Sequence, residues 1–250
     1  MAGYGSFSWY YDRLTGNVDY PARAAYFDKL VKQWVQRPVE LLLDLACGTG
    51  SLSLELFRLG YDVIGVDGSD EMLSVAIEKK YDNEADIMFL RQDMDKLDLY
   101  GTIDACVCCL DSVNYVTHPK KLQKAFERVH LFLMPGGLFL FDINTPKKLT
   151  GLDGQVFLDE TEDTYCVWRA EYSPRRRVCS YFMDLFRLDE ETGLWERGEE
   201  LHEEYAYTPQ ELEEYLRQAG FTDIRQYGNL KLRAPSADED RIFFTARKET

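Results

Sequence analysis

The most constraining feature of this chain is the segment 41–50, which has the sequence LLLDLACGTG. An apolar run that ends beside two glycines is typical of a buried parallel strand followed by a tight turn. Glycine allows that turn and exposes backbone N–H groups to a ligand. Ser51 then begins an apolar-periodic segment that indicates a helix. This order predicts a nucleotide-type site at the carboxyl edge of a sheet.

Strands and helices are expected to alternate through the middle of the chain. Short apolar or β-branched runs predict strands, and segments with helical periodicity fall between them. The strands are expected at about 40–45, 62–67, 87–91, 103–110 and 138–143, and the helices at about 51–59, 69–80 and 122–129. Such alternation implies right-handed crossovers and a parallel sheet.

The pattern changes between residues 151 and 207, where no helix is predicted. Segments rich in aromatic and β-branched residues lie at 164–172, 178–188 and 195–207, with turn signals between them. They predict an antiparallel β meander inserted into the α/β domain. A capping box at Thr208 and Glu211 then begins another helix, and strands are expected at 221–227 and 241–247.

The predicted organisation has three parts. Residues 1–35 form an N-terminal segment, residues 36–150 and 208–250 form one α/β domain, and residues 151–207 form the inserted β layer. A chain of 250 residues with 45% hydrophobic content is long enough for this arrangement.

Charge and hydropathy limit the partners that we expect. The formal net charge of −15 disfavours nucleic acid as a partner. No apolar run approaches the roughly 20 residues that cross a bilayer, and the N-terminus lacks the features of a signal peptide. A cytoplasmic protein that does not bind membranes is expected. The basic run 175–177 is interpreted as a solvated hairpin turn in preference to an anion contact.

The six cysteines do not form a disulfide or metal pattern. Cys106 and Cys109 have C-x-x-C spacing, but residues three apart in a strand point to opposite faces. Neither a second cysteine pair nor a nearby histidine completes a zinc site. Buried reduced thiols and no metal are predicted.

Two cofactor classes share the strand, glycine turn and helix. A dinucleotide site requires G-x-G-x-x-G, and here Gly48 and Gly50 fit while Ser53 takes the third position. Asp67 ends the second predicted strand and suits a ribose diol in either class. These residues leave the choice of cofactor open.

Five ordered motifs resemble those of class I S-adenosylmethionine (SAM) dependent methyltransferases. They are the acidic glycine motif from Asp44 to Gly50, the segment 66–73, Gln92-Asp93-Met94, the turn 135–139 and the terminal strand 241–247. The resemblance covers about residues 39–143 and 208–248. It implies an α/β, Rossmann-like sheet of seven mostly parallel strands whose last strand is antiparallel.

The resemblance also implies which residues bind SAM. The backbone at Ala46 and Gly48 would hold the amino acid end, and Asp44 would lie beneath the glycine turn. Asp67 would bind the ribose and Asp93 the adenine amino group. The remaining cofactor residues that it implies are Tyr11, Gly50, Met72, Met94 and Leu110.

The N-terminal segment carries a second signal. The aromatic run 7–14 and Tyr20 resemble the N-terminal lid of small-molecule methyltransferases, in which a tyrosine closes over the cofactor. Tyr11 is the expected contact because it precedes Asp12. The alternative is a helix whose aromatic rings only pack on the domain.

The end of the fourth predicted strand should face the transferred methyl group. The segment 109–115 departs from the Asn/Asp-Pro-Pro-Tyr/Phe motif of enzymes that methylate DNA adenine. Asp111, Asn114 and Tyr115 are the candidates for positioning an acceptor. His118 is a weaker candidate for a base, and His130 and His202 are weaker still.

The leading hypothesis is therefore a SAM-dependent methyltransferase that acts on nitrogen or oxygen of a small molecule. The inserted β layer is expected to cover the substrate or to pair two copies of the chain. An NAD-dependent oxidoreductase and a non-catalytic SAM-binding protein are the alternatives.

Overall fold

The computed structural model describes residues 7–189 and 191–249. The aromatic side chains of Phe7 and Trp9, named above as part of the lid, lie outside what it describes. The helices are α1 Phe7–Leu14, α2 Tyr20–Trp34, α3 Ser51–Arg58, α4 Asp70–Asp82, α5 Pro119–Phe132, α6 Pro146–Gly151 and α7 Pro209–Gln218. The strands are β1 Leu41–Leu45, β2 Asp62–Asp67, β3 Ile87–Arg91, β4 Ile103–Cys108, β5 Leu133–Asn144, β6 Val156–Glu160, β7 Thr164–Ser173, β8 Val178–Leu188, β9 Trp195–Tyr205, β10 Phe221–Gly228 and β11 Arg241–Lys248.

The main sheet has seven strands in the order β10-β11-β5-β4-β1-β2-β3. The five strands β1 to β5 run parallel to one another, whereas β11 is antiparallel to both β5 and β10. The predicted fold class, with its reversed last strand, is confirmed.

Helices cover both faces of this sheet. Leu43 packs in one buried cluster with Phe126 of α5 and Leu216 of α7, while Leu42 packs in the other with Phe27 of α2 and Leu56 of α3. Burial on both faces explains why β1 and β4 are apolar except for one aspartate each.

A second, antiparallel sheet has the order β6-β7-β8-β9. Three of its strands match the predicted meander, but β6 and the short helix α6 were not predicted. β6 is a short edge strand whose residues are mostly exposed, so it lacks a clear alternation of buried and exposed positions. The strand β9 ends at Tyr205, and Tyr207 lies beyond it.

The inner face of the second sheet packs on the carboxyl edge of the main sheet. Tyr10 of α1 and Met72 of α4 form a buried cluster with Cys166 and Leu185. The backbone N–H of Tyr205 also donates to the carbonyl of Asn114 at 2.7 Å. The insertion therefore lies over the edge at which the nucleotide-type site was predicted.

Three further sequence expectations can be compared with the structure. All six cysteines are free and buried. The basic run lies in the turn between β7 and β8, where Arg177 forms a two-oxygen ion pair with Glu211 at 2.6 Å. Within the described residues, no helix is long and apolar enough to span a membrane, and no group of three metal-ligand side chains occurs.

Candidate active site

A cavity of about 920 Å³ lies at the carboxyl edge of the main sheet, beneath α1 and the second sheet. Its size is at the upper end of the usual range for small-molecule sites. The predicted site residues that line it are Tyr11, Ala46, Gly48, Asp67, Met72, Asp93, Met94, Leu110, Asp111 and Tyr115. Asp44, Gly50 and Asn114 do not line it.

The loop between β1 and α3 forms one wall and is built from left-handed residues. The φ angles of Ala46, Gly48 and Gly50 are 59°, 54° and 73°. Asp67 at the end of β2 accepts the N–H of Gly48 at 2.8 Å and that of Ser69 at 2.9 Å. Its carboxylate therefore fixes the glycine loop against the neighbouring strand and also faces the cavity.

The electrostatics of Asp67 follow from this position. Burial raises the pKa of its carboxyl, and the hydrogen bonds from Ser69 and Gly48 oppose that shift. A polar ligand that donates hydrogen bonds to this carboxylate would replace part of the missing solvation.

Asp44 lies under the glycine loop, within the protein core. Only 1% of its surface is exposed, and its Oδ2 accepts the hydroxyl of Ser53 at 2.6 Å. Burial raises the pKa of Asp44 to about 7. Ser53, which replaced the third glycine of a dinucleotide motif, is thus the hydrogen-bond partner of a buried acid.

Gly50 is required for packing and for its backbone conformation. A Cβ at this position would lie 3.0 Å from the ring of Phe89 and 3.0 Å from the Cβ of Ala76. Gly65 of β2 makes room for the same ring, since a Cβ there would lie 2.5 Å from it. Phe89 therefore supports the glycine loop from below, and Gly50 stays outside the cavity.

The residues after β3 form the opposite wall. Asp93 is paired with Lys96 at 2.6 Å, and this partner lowers the pKa of the Asp93 carboxyl. Met94 lines the same wall and packs against the main core. Gly68 also lines the cavity, and a Cβ there would approach Asp93 Oδ1 at 3.5 Å. The glycine keeps the space beside Asp67 and Asp93 open.

Helix α1 closes the cavity from above. Tyr11 lines it, and its ring lies 3.9 Å from the position of a Cβ on Gly48. Tyr10 instead packs in the cluster with Met72 under the second sheet. Tyr11 packs against the edge of the same cluster but also lines the cavity, and its role as a lid residue stays a prediction.

The turn after β4 places Leu110 and Asp111 at the cavity wall. Both backbone N–H groups are bound by Asp142 of β5, at 2.8 Å and 3.2 Å. Arg241 of β11 forms ion pairs with Asp111 and with Asp142, and it lines the cavity itself.

Tyr115 and His202 form the wall on the side of the second sheet. Tyr115 is 46% exposed, and its ring makes an edge contact with His202 at a centroid distance of 5.9 Å. Burial lowers the pKa of His202 to about 4, so its ring is neutral at pH 7. His118 begins α5 and also lines the cavity.

Asn114 lies behind this wall and is fully buried. Its side chain donates to the carbonyls of Asn144 and Tyr205 at 3.1 Å and 3.0 Å, and it accepts the N–H of Asn144 at 3.0 Å. The structure thus corrects its expected role, because this amide joins β5 to β9 and does not face an acceptor.

Sequence reasoning missed Asp142 and Arg241 and underrated His202. The sequence does contain a signal for Asp142, because Asp142 and Asn144 are polar residues in an otherwise apolar strand. Arg241 and His202 lie far along the chain from the glycine loop. Only strand pairing brings them to the cavity.

Fold and cavity together are typical of an α/β enzyme with a nucleotide-type cofactor site at the carboxyl edge of its sheet. A methyltransferase domain model matches residues 42–137. A putative methyltransferase of Bacillus subtilis, YqeM, is 32% identical over 98% of this chain and 97% of its own length. A glycine/sarcosine N-methyltransferase of Halorhodospira halochloris is 25% identical over 95% of this chain and 87% of its own.

Solved structures agree with these relatives. A SAM-dependent methyltransferase from Clostridium acetobutylicum superposes with a TM-score of 0.88 and 28% identity, covering 99% of both chains. This chain belongs to the class I SAM-dependent methyltransferases, and its cofactor is SAM. The NAD alternative is excluded by this family membership.

Proposed function

We propose that this enzyme methylates a nitrogen or oxygen atom of a small molecule held between the glycine loop and the second sheet. The observation that carries the proposal is the closure of the carboxyl edge by α1 and by His202 of β9. Such a chamber admits a small molecule more easily than a nucleic acid or a protein surface.

In this proposal, Asp67 holds the ribose and Asp93 the adenine amino group, with Met72 and Met94 beside the ring. Ala46, Gly48 and Leu110 offer backbone groups to the amino acid end, and Tyr11 covers it. These assignments follow the family resemblance and are supported by the position of each residue on the cavity wall. When bound, SAM supplies a methyl group on a sulfonium.

The chamber beyond the cofactor favours an amine as acceptor. Arg241 is shared by the carboxylates of Asp111 and Asp142, so this charge cluster has one negative charge in excess. His202 adds no positive charge because its ring is neutral. A negative chamber attracts an amine and the cationic cofactor alike. Tyr115 offers a hydroxyl and a ring to the same acceptor.

An enzyme of this kind mainly aligns the two reactants and excludes water. A protonated acceptor must first lose a proton, and His118, which lines the cavity and is exposed to solvent, is placed to receive that proton. The glycine/sarcosine relative carries a small-molecule N-methyltransferase name, which supports the same acceptor class.

The test is methyl transfer from radiolabelled SAM to a bacterial extract divided by ultrafiltration. We expect label in a small-molecule product of the filtrate that chromatography separates from unreacted SAM, and the Asp67→Asn variant should form much less of that product. Label in the retained protein or RNA would overturn the proposal. SAM binding with no label in either fraction would instead favour the non-catalytic alternative.

Pairing of two copies through the β layer stays a prediction. The outer face of the second sheet exposes several apolar side chains, namely Val156, Leu158, Phe182 and Leu201. Sedimentation of the protein at two concentrations would test it, with a monomer at both contradicting it.

A further inference from the structure

The turn after β4 has an unusual backbone conformation. Leu110 and Asp111 are consecutive residues with side chains, yet their φ angles are 57° and 54°. Such residues rarely adopt the left-handed region, because Cβ then approaches the carbonyl oxygen. Strain of this kind persists only where the surroundings enforce it.

Asp142 enforces the conformation from the neighbouring strand. It is fully buried, and its two oxygens accept the N–H groups of Leu110 and Asp111, one each. One carboxylate thus binds both N–H groups while both residues are in the left-handed region, and these two hydrogen bonds stabilise the strained turn.

Arg241 makes this arrangement electrostatically stable. Asp111 and Asp142 would repel one another in a buried site, and the guanidinium of Arg241 binds both. Its side chain is only 13% exposed. Because β11 pairs antiparallel with β5, placing Arg241 opposite Asn144, the reversed last strand brings this cation to the turn.

We infer that Arg241 is a positioning residue for cofactor binding, which acts through Asp142 and Asp111 to hold Leu110 at the cavity wall. Without the guanidinium, two unpaired carboxylates would face each other and the turn would relax away from the cavity. The inference rests on SAM as cofactor and is independent of which acceptor is used.

The first test compares S-adenosylhomocysteine (SAH) binding by calorimetry in Arg241→Gln and in a matched control. Arg177→Gln is that control, since Arg177 also makes a two-oxygen pair with a carboxylate but lies away from the cavity. We expect Arg241→Gln to raise the Kd for SAH about tenfold or more, as loss of one partner of a buried ion pair would. Arg177→Gln should change that Kd less than about twofold.

The second test asks whether a change at residue 111 restores binding. Asp111→Gly removes one repelling carboxylate and places a residue without Cβ in the left-handed position. Added to Arg241→Gln, it should recover at least about threefold in Kd. A purely structural role for Arg241 in the sheet would not be rescued at this position.

Arg241→Lys keeps the proposal testable if Arg241→Gln does not fold. A single ammonium cannot match the geometry of two carboxylates, so an intermediate Kd is expected. A Kd within twofold of wild type for either Arg241 variant, or absence of rescue by Asp111→Gly, would overturn the inference. Failure of the wild type to bind SAH would instead count against the cofactor site as a whole.

Discussion

The carboxylate of Asp12 lies 2.6 Å from the ammonium of Lys79, and this ion pair joins α1 to α4 beside the cavity. Asp12 also accepts the hydroxyl of Thr49 in the glycine loop at 2.7 Å. On the other side, Arg13 pairs with Asp163 of the second sheet at 2.6 Å. Helix α1 is thus attached both to the glycine loop and to the second sheet, on two sides of the cavity.

Weakening this attachment should speed cofactor release. Asp12→Asn keeps an oxygen for Thr49 but removes the charge that Lys79 binds. We expect SAH to dissociate about two- to fivefold faster, the equivalent of roughly 0.5–1 kcal/mol for a partly buried ion pair. Stopped-flow displacement of SAH measures this rate.

The matched control for the lid is Asp28→Asn. Asp28 pairs with Lys32 on α2 at 2.8 Å but does not line the main cavity. SAH should dissociate from the Asp28→Asn variant at the same rate as from wild type. Equal rates in all three proteins would show that the Asp12 pair does not retain the cofactor.

Loss of the Asp67 carboxylate should weaken cofactor binding strongly. Asp67→Asn places an amide donor against the N–H of Gly48 or Ser69, because the carboxylate accepts from both. We expect SAH affinity to fall at least about tenfold, consistent with loss of charge-assisted hydrogen bonds. Calorimetry with SAH and with NAD gives the measurement. The wild-type protein should bind SAH and should not bind NAD.

Asp70→Asn provides the comparison for Asp67. Asp70 lines the same cavity, but its side chain is 76% exposed and makes only a 3.6 Å ion pair with Arg91. Its variant should bind SAH nearly as tightly as wild type. A comparable loss in both variants would mean that net charge in the cavity, and not the Asp67 contacts, governs affinity.

Asp44 should make stability depend on pH. Burial raises its pKa from 3.8 to about 7, so the folded state favours the protonated form. The stabilisation of the folded state by protonated Asp44 is therefore fully present below about pH 4 and is lost as the pH rises towards 7. A shift of this size corresponds to about 4 kcal/mol at most.

Asp44→Asn stays neutral at every pH and isolates that contribution. The free energy of unfolding of the variant, minus that of wild type, should increase between pH 4 and 7 and then level off. Denaturant titrations at several pH values give this difference, with the exposed Asp62→Asn as control. Parallel curves for Asp44→Asn and wild type would contradict an elevated pKa.

Removal of the Asn114 amide should destabilise the join between the two sheets. Asn114→Ala leaves three buried backbone groups of Asn144 and Tyr205 without this partner. We expect the free energy of unfolding to fall by about 3 kcal/mol, the cost of unsatisfied buried polar groups. Chemical denaturation measures the loss, and Asn229→Ala, in an exposed loop, should have little effect. A loss below about 1 kcal/mol would show that the backbone groups find other partners.

Local sequence determined the elements that bind the nucleotide. The apolar run of β1, the left-handed glycines after it and Asp67 at the end of β2 are short-range features, because each strand and its following turn are encoded within a few residues. The order of the five sequence motifs then indicated the family. Tyr11 was found in the same way, since its position relative to Asp12 is local.

Tertiary structure decided which polar residues face the cavity. Asp44 and Asn114 are both candidates from the sequence, yet burial and hydrogen bonding place them behind the wall. Arg241 and His202 reach the site only through the register of β11 with β5 and of β9 with β8. Register depends on pairing between residues distant in sequence, and a shift of one residue would turn these side chains to the opposite face. The glycine loop and Asp67 are therefore local information, whereas the presence of Arg241 and His202 at the cavity is a product of strand pairing.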